Sequence, residues 1–452
     1  MKTQFLTTFL IIVLLGGCSN LQQKTENAIT ENPLAWSDDA VMYEINVRQF
    51  TPEGTFNAFA AHLPRLQKMG VEILWFMPIH PIGKEKRKGT LGSYYSIEDY
   101  KAVNPEFGTF DDFKTLVSQA HDMGFKVIID CVANHTSWDN VWMTNHKDWY
   151  TTDSTGNIIP PVADWTDVAD LNYNNPGLRA AMLDALKYWV REANIDGYRC
   201  DYAGGVPTDF WESARASLDS IKPVFMLAED QDNLDLLNKA FDCNYGWTMH
   251  HYMNEIYSGE KSALAIESYF AQIDTTYPKG KYPLQFTSNH DENSWNGTAF
   301  ERLGDAVETF AVLSFTVPGM PLIYNGQEVG LNKRLEFFEK DEIDWSNKSP
   351  LTNLYTKLID LKQDNHALWN GDAGGKINFI KTSKPDQFLA FTREKDGNKV
   401  MVIMNLSHEQ QSGNIYIDKI EFKDFFSEEN ISIGKDIELT LTPWQYLVGV
   451  GL

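Results

Sequence analysis

The 452-residue sequence predicts an α/β fold: a (β/α)8 TIM barrel with a small lobe inserted after the third strand and a C-terminal antiparallel β domain. Short apolar runs alternate with helically spaced segments between about residues 41 and 363, which is typical of a parallel sheet. Eight such runs favour closure into a barrel, although an open doubly wound sheet is also compatible with the pattern. From about residue 368 the apolar residues alternate with a period of two, which indicates antiparallel strands.

The order of helix and strand can be followed along the chain. Helical apolar spacing over residues 59–69 ends at Gly70, and glycine commonly closes a helix in the left-handed conformation. A buried strand follows directly, and the same order recurs around Gly124 and again before residue 195. Barrel strands are predicted at residues 41–47, 73–76, 126–130, 195–201, 224–228, 240–244, 284–288 and 321–324.

One segment breaks the alternation of strand and helix. Residues 135–175 are rich in Trp, Asn, Asp and Pro and are too long for a simple connection, so they predict the inserted lobe. Together with the N-terminal features described next, the chain is predicted to consist of a signal peptide (1–17), a tether (18–38), the barrel (39–367) and the C-terminal domain (368–452).

The N-terminus predicts export. A basic start and an apolar run over residues 5–15, too short for a comfortable membrane span, precede the sequence Leu-Gly-Gly-Cys at residues 15–18. This resembles the bacterial lipoprotein signal, which implies cleavage before Cys18 and acylation of its sulfur. An ordinary signal peptide is the alternative. We expect a membrane-anchored lipoprotein of the bacterial cell envelope, on either the periplasmic or the outer side, with the other three cysteines as buried free thiols.

The composition narrows the choice of ligand. The formal net charge of -23 argues against nucleic acid or an anionic membrane surface as a partner, because both bind clustered Lys and Arg. The abundant Trp and Tyr residues favour a neutral ligand that stacks on flat faces. The sequence has no glycine pattern of a nucleotide site and no Ser-His-Asp signature, and it predicts no organic cofactor and no protein partner.

Polar residues follow the predicted barrel strands at the end where barrel enzymes build their active sites. Four acids, an arginine and two histidines are therefore expected to point into one bowl. The polar residues at these strand ends are Asp130, Asn134 and His135 after strand three, Arg199 and Asp201 at strand four, Glu229 after strand five, and Asn289, His290 and Asp291 after strand seven.

Two of these acids suit glycoside cleavage. Adjacent strands lie ~4.8 Å apart, so Asp201 and Glu229 can approach the ~5–5.5 Å separation of a retaining glycosidase. One carboxylate attacks the anomeric carbon, and the other protonates the leaving oxygen and later activates water. Arg199 projects to the same side as Asp201 and is expected to keep it ionised, while burial should raise the pKa of Glu229.

Four segments, residues 130–135, 197–201, 227–229 and 286–291, resemble the signature regions of the α-amylase family (glycoside hydrolase family 13), in order. The resemblance implies Asp201 as nucleophile, Glu229 as acid/base and Asp291 as a third carboxylate that binds sugar hydroxyls. It also implies that the C-terminal antiparallel domain is a β-sandwich. A tyrosine under the cleaved sugar is implied as well, and Tyr95 matches it. The remaining substrate-binding residues that we predict are His135, Arg199 and His290.

The function expected from this resemblance is retaining hydrolysis of α-glucosidic bonds, above all α-1,4 bonds, in starch-like glucans or maltooligosaccharides. An α-1,6-glucosidase or a transglycosylase of the same family is an alternative. A catalytically inactive glycan-binding lipoprotein is another, but such a protein would be expected to lose one of the three carboxylates, and all three are present.

The chain departs from the family pattern after Asp201. Many members carry a small residue and then a Lys-His pair, whereas this chain has the bulky Tyr202 followed by Ala-Gly-Gly. The acceptor-side subsites, and with them a preference for long chains, are therefore in doubt. Calcium is a candidate cofactor because Asn134 and Asp170 match family ligands, but Gly205 replaces the histidine that supplies another.

Other residues have two interpretations. The basic run at residues 84–88 is interpreted as a solvated loop rather than a binding patch. Several tryptophans could either stack against sugar or pack the lobe: Trp138, Trp142, Trp149, Trp165 and Trp295.

Overall fold

The structure, a computed structural model, describes residues 32–451, and the eight parallel strands of its main sheet close into a barrel. Each strand pairs with the next along the chain, and the last pairs with the first, so the prediction of a TIM barrel is confirmed. The barrel strands, numbered one to eight below, are Met42–Ile45, Ile73–Phe76, Lys126–Cys131, Gly197–Cys200, Phe225–Ala228, Cys243–Tyr245, Tyr282–Gln285 and Met320–Tyr324.

The barrel interior is filled by alternate residues of the strands. Met42, Trp75 and Leu227 belong to one buried apolar cluster inside the barrel, while their neighbours Tyr43 and Leu74 pack toward the helices. Because side chains alternate along a strand, the residue two places after an inward apolar residue also faces inward. This alternation carries polar side chains to the carboxyl end of the barrel.

Helices surround the barrel, and one predicted helix is broken in two. The segment predicted as one helix over residues 59–69 forms a helix ending at Ala60 and a second one beginning at Leu63. Pro64 lies in the first turn of the second helix and has no amide hydrogen for the preceding turn. Gly70 ends that helix at φ 92°, as predicted.

The α-helices are Val47–Phe50, Phe56–Ala60, Leu63–Met69, Phe110–Asp122, Pro176–Glu192, Thr208–Asp219, Leu236–Lys239, Trp247–Tyr257, Leu264–Thr276, Ala299–Leu303, Val307–Thr316 and Leu351–Gln363. A π-helical segment spans Glu292–Asn296. Single 3-10 turns are Ala35–Ser37, Lys147–Trp149, Ala203–Gly205, Gly304–Ala306, Gln327–Val329, His366–Leu368 and Gly371–Ala373. None of the helices within residues 32–451 combines the length and the apolar character that a bilayer crossing requires.

The segment predicted as a lobe begins directly after barrel strand three. Its base is an antiparallel pair of short strands, His135–Ser137 with Val168–Asp170. Aromatic contacts fill it: Trp142 stacks on Tyr100 with ring centroids 4.8 Å apart, and Trp149 stacks on His146 at 3.9 Å.

The C-terminal residues form antiparallel sheets, as predicted. A four-stranded sheet runs in the order Ile377–Phe379, Phe388–Lys395, Asn398–Asn405 and Tyr446–Val450. Two strand pairs, Gln411–Asn414 with Glu438–Leu441 and Ile420–Lys423 with Asn430–Ile433, pack on one face of it. The other face packs on the barrel, because alternate residues such as Phe391 and Val402 join the main core.

Arg393 joins this sheet to the barrel. Its guanidinium is buried and donates to the carbonyl oxygens of Gly375 (2.9 Å), Val317 (3.0 Å) and Trp369 (2.9 Å). Val317 directly follows the last barrel helix before strand eight, so the arginine ties that helix to the C-terminal domain.

The cysteines within the described residues are free and buried, as expected for Cys131, Cys200 and Cys243. The predicted signal peptide and Cys18 lie outside the described residues, so acylation of Cys18 stays a prediction.

Candidate active site

A cleft of about 1030 Å³ opens at the carboxyl ends of the barrel strands, beside the lobe. Six of the predicted catalytic and substrate-binding residues line it, namely Tyr95, His135, Asp201, Glu229, His290 and Asp291. Asp130 and Arg199 lie buried beneath them, where Arg199 contacts Asp201 and Glu229 as well as Asp130. Asn289, at the same strand end as His290, is not among the lining residues. Its side-chain oxygen accepts from the amide of Glu292 at 2.8 Å, which fixes the turn that carries Asp291.

Arg199 connects three carboxylates at the floor of the cleft. Its Nη1 donates to Asp130 Oδ1 and to Asp201 Oδ1, both at 2.9 Å. Its Nη2 lies 2.6 Å from Glu229 Oε1, an ion pair without the angles of a good hydrogen bond. The side chain of Arg199 is fully buried, so water does not screen these contacts.

The two cleft acids differ in pKa. Burial raises the pKa of Asp201 to about 6, although Arg199 acts in the opposite direction. Burial raises the pKa of Glu229 further, to about 8, and the neighbouring Asp201 and Asp291 add to the effect. Arg199 therefore favours the ionised form of Asp201 as predicted, but burial is the larger influence. At a pH between these two pKa values, Asp201 is ionised while Glu229 keeps its proton.

A second set of contacts lies on the other side of the cleft floor. The Tyr95 hydroxyl lies 2.8 Å from His290 Nε2 and donates to Asp130 Oδ2 at 3.1 Å. The Tyr95 ring stacks on His290 with centroids 5.3 Å apart. On its far side, His290 Nδ1 lies 2.5 Å from Glu44 Oε1. Glu44 was not singled out from the sequence, although it lies two residues after the inward-facing Met42.

Asp291 lies above this floor and faces the open cleft. Its side chain is 38% exposed, and its Oδ2 lies 3.5 Å from His290 Nε2. It directly precedes the π-helical segment Glu292–Asn296. Glu292 anchors that segment through His250 Nε2 at 3.0 Å and Arg302 at 3.9 Å. The position of Asp291 is therefore fixed from behind by a buried charged cluster.

Tyr202 shapes the cleft beside Glu229. Its backbone is left-handed, at φ 43°, and its amide donates to Glu229 Oε2 at 2.8 Å. Its ring meets Trp165 edge to face at 5.4 Å and is 42% exposed. A Cβ at Gly205 would come within 2.5 Å of the Tyr202 ring, so glycine is needed there for this ring position. The departure after Asp201 thus places an aromatic pair at the cleft wall.

Sequence reasoning missed several cleft residues, which lie on loops, in the helix Trp247–Tyr257 or directly after Glu229. Lys88 was interpreted as part of a solvated loop, but it lines the cleft and pairs with Asp167 at 3.0 Å. Of the five tryptophans, only Trp165 and Trp295 belong to the described lining, and the other three pack within the lobe or under its loops. Further lining residues are Asp230, Gln231, Asp232, Trp247, His251, Phe337 and Phe338.

The residues proposed for calcium supply few oxygens. Asn134 Oδ1 faces Gly205, whose Cβ would lie 2.5 Å from it, and Asp170 is half-buried with a pKa raised by burial. The described part of the chain contains no cluster of three acidic, histidine or cysteine side chains suited to a metal. Calcium takes six to eight oxygens, so these side chains do not form a calcium site by themselves.

Solved structures resemble this chain over nearly its whole length. A maltogenic α-amylase from Thermotoga neapolitana superposes with a TM-score of 0.84 at 29% identity, covering 91% of this chain and 98% of that one. An α-amylase from Lactobacillus plantarum gives a TM-score of 0.82 at 29% identity, covering 92% and 99%.

Curated relatives with similar sequences are also named as α-amylases and cyclomaltodextrinases. "Alpha-amylase MalA" from Haloarcula japonica is 26% identical over 392 residues, which is 83% of this chain but 56% of the relative's own length. A cyclomaltodextrinase from a Bacillus species is 27% identical over 428 residues, covering 82% of this chain and 74% of the relative.

Two family profiles match successive parts of the chain. The profile of the maltogenic amylase C-terminal domain matches residues 377–448. The profile of the α-amylase catalytic domain matches residues 25–375, which is well over half of the 452 residues, and the chain therefore belongs to the α-amylase family of glycoside hydrolases.

Proposed function

We propose that this chain hydrolyses α-1,4-glucosidic bonds in maltooligosaccharides or starch-like glucans with retention of anomeric configuration. The observation that carries the proposal is the joint contact of Arg199 with Asp201 and Glu229 at the floor of the cleft. Oxygens bound by neighbouring nitrogens of one guanidinium are compatible with the ~5–5.5 Å carboxyl separation of retaining glycosidases.

The pKa order assigns the two roles. Asp201, with the lower pKa, is the carboxylate that attacks the anomeric carbon as the glycosidic bond breaks. Glu229, with the higher pKa, donates its proton to the leaving oxygen. The glycosyl ester on Asp201 is then opened by water, whose proton returns to Glu229. Two inversions give net retention, and every proton is accounted for on Glu229.

The remaining residues bind the sugar next to the cleaved bond. Asp291 presents an exposed carboxylate to the cleft and accepts from sugar hydroxyls, while Tyr95 lies beneath with its ring along the floor. His135 is mainly neutral, because burial lowers its pKa to about 4, so it recognises hydroxyls without adding charge. His290 completes the set. Arg199 was predicted to bind substrate as well, but it is fully buried beneath the cleft and acts through Asp201 and Glu229.

The cleft shape points to short α-glucans. Tyr202 and Trp165 form an aromatic wall beside Glu229, on the side where the leaving group departs. Exposed Trp295 offers another flat face in the cleft, next to Phe337 with ring centroids 5.2 Å apart. Relatives named as cyclomaltodextrinases and maltogenic amylases favour the same substrate range.

Three further features of the proposal concern the chain around the site. We propose a lipid on Cys18 that anchors the enzyme to the envelope, and a Cys18→Ala variant should then move from the membrane to the soluble fraction. We propose a domain boundary near residues 367 and 368.

Calcium stays a prediction, with Asn134 and Asp170 as ligands beside backbone carbonyls and water. A rise in the melting temperature on adding calcium after EDTA would support it, and no change would refute it.

Product analysis over time tests the function. Maltoheptaose, amylose, pullulan and isomaltooligosaccharides are the substrates, and Asp201→Asn is the inactive variant. Asp209→Asn, whose carboxylate is exposed outside the cleft, is the matched control and should keep wild-type activity. Short maltooligosaccharides from maltoheptaose would support the proposal. Cleavage of isomaltooligosaccharides alone would favour the α-1,6 alternative, longer products would favour transglycosylation, and binding without any turnover would favour the inactive glycan-binding protein.

A further inference from the structure

Glu44 is an acid inside the barrel that the proposed chemistry does not use. Its side chain is fully buried on the first barrel strand. Its Oε1 lies 2.5 Å from His290 Nδ1, while its Oε2 has no hydrogen-bond partner within the described residues. Burying an ionised carboxylate costs free energy unless a cation pairs with it. An ionised Glu44 is therefore stabilised only when His290 is protonated.

The other contacts of His290 depend on the same proton. Its Nε2 lies 2.8 Å from the Tyr95 hydroxyl, and that hydroxyl also contacts Asp130 Oδ2 at 3.1 Å. Tyr95 has one hydroxyl proton and can donate it to only one of these neighbours. When both ring nitrogens of His290 carry protons, Nε2 donates to Tyr95, and Tyr95 is free to donate to Asp130.

A neutral His290 breaks this arrangement. With its one proton shared with Glu44, Nε2 becomes an acceptor and competes with Asp130 for the Tyr95 proton. Asp130 would then lose a donor beside Arg199, the arginine that contacts Asp201. The protonation of His290 therefore sets the direction of a hydrogen-bond chain that reaches the floor of the cleft.

We propose that Glu44 is a positioning residue that keeps His290 protonated and thereby directs the Tyr95 hydroxyl toward Asp130. The inference rests on the proposed function of the cleft and deepens it. It makes His290 a cation beside Asp291, so that one acidic and one cationic group face the bound sugar at the same place.

The charges around His290 support this assignment. The groups that face it are Glu44 on strand one, Tyr95 after strand two, Asp130 on strand three, Arg199 on strand four and the adjacent Asp291. Burial and Arg199 lower the pKa of His290, but Asp291 and Glu44 outweigh them and raise it to about 9. The imidazolium is therefore expected to persist through neutral pH.

The charge state can be measured directly by titrating the His290 ring nitrogens in ¹⁵N-histidine-labelled protein without substrate. The His290→Asn variant identifies the signal. Wild-type His290 should still be protonated at pH 7.5, and Glu44→Gln, which keeps the shape but removes the charge, should lower its midpoint by at least one pH unit. A wild-type His290 that is neutral at pH 7.5 would overturn the inference, even if the variant failed to fold.

Activity gives an independent readout. If the His290 midpoint in Glu44→Gln falls to about 6.5, about a tenth of the ring is protonated at pH 7.5, so kcat/KM on a short activated maltoside should fall about tenfold there and by less than about threefold at pH 5.5. Adding Glu44→Gln to the His290→Asn variant should have little further effect. Glu328→Gln alters another fully buried acid, paired with Arg65 outside the cleft, and should leave the shape of the pH profile unchanged.

An equal loss at all pH values in Glu44→Gln would indicate a purely structural role and contradict the inference. The proposed function and the inference about His290 are refuted by different results. A wild-type enzyme that turns over no α-glucan would refute the proposed function, whereas the nitrogen titration would still decide the charge of His290.

Discussion

Replacing Arg199 by lysine should remove most of the activity, because one ammonium cannot replace a guanidinium that contacts three carboxylates. Arg199 lies 2.9 Å from Asp130, 2.9 Å from Asp201 and 2.6 Å from Glu229. A lysine keeps the positive charge but presents a compact head on a flexible stem instead of a planar fork. At least one of the three carboxylates is then left buried without its partner.

The size of the effect follows from the contacts. Removing one partner of a buried ion pair costs about 3–5 kcal/mol, so we expect a loss of this size in the free energy of unfolding. For activity, a rise of one unit in the pKa of Asp201, from about 6, leaves half of it protonated at pH 7. Misplacement of the nucleophile by about 1 Å adds about 100-fold. We therefore expect kcat/KM to fall by at least about 100-fold.

The assay is hydrolysis of a short activated maltoside at pH 7, with urea unfolding to confirm a folded variant. Arg215→Lys is the matched control, because Arg215 also joins two acids, Asp219 at 2.7 Å and Asp242 at 2.9 Å, on the outside of the barrel. It should change kcat/KM by less than about twofold. A folded Arg199→Lys variant with kcat/KM within threefold of wild type would refute the reasoning about the cleft floor.

Three further predictions follow from the same contacts. The pH profile of kcat/KM should be bell-shaped with limbs near 6 and 8, because burial raises the pKa of Asp201 to about 6 and that of Glu229 to about 8, and activity needs the first ionised and the second protonated; a flat profile from pH 5 to 9 would contradict this assignment. Arg393→Met leaves buried carbonyls without donors and should lower the unfolding free energy by about 3–5 kcal/mol in urea titrations, with kcat unchanged in the folded enzyme; a loss below 1 kcal/mol would show that the domain contact does not depend on it. Tyr202→Ala should change the lengths of products from maltoheptaose more than it changes cleavage of a short activated maltoside, and equal losses on both substrates would argue against a role at the acceptor side.

Most of the barrel could be predicted because its strands are apolar and short. Strand two was predicted with its observed bounds, Ile73–Phe76, and the other predicted runs overlap their strands. The grouping of the acids in one cleft was also predictable, because the carboxyl ends of parallel strands meet at one face of a barrel. The helix break before Leu63 was missed, since apolar spacing continues through it and only Pro64 marks the change.

The parts of the cleft that were missed have two physical reasons. Phe337, Phe338 and Lys88 come from loops, whose conformation is set by packing partners distant in sequence rather than by a local period. Glu44 could have been predicted from the sequence, because it follows inward-facing Met42 by two residues. A charge at an inward position of a buried strand requires a partner, which here is His290.

The anomeric form of the first product tests the central claim most directly, because a double displacement through a covalent intermediate on Asp201 gives net retention, whereas direct attack by water inverts the anomeric carbon. Proton NMR during the first minutes of maltoheptaose hydrolysis, before mutarotation, reads it out. We predict that the α-anomer appears first in the wild-type enzyme and that Asp201→Asn gives no product. Initial release of the β-anomer would contradict the assignment of Asp201 and Glu229 as a retaining pair.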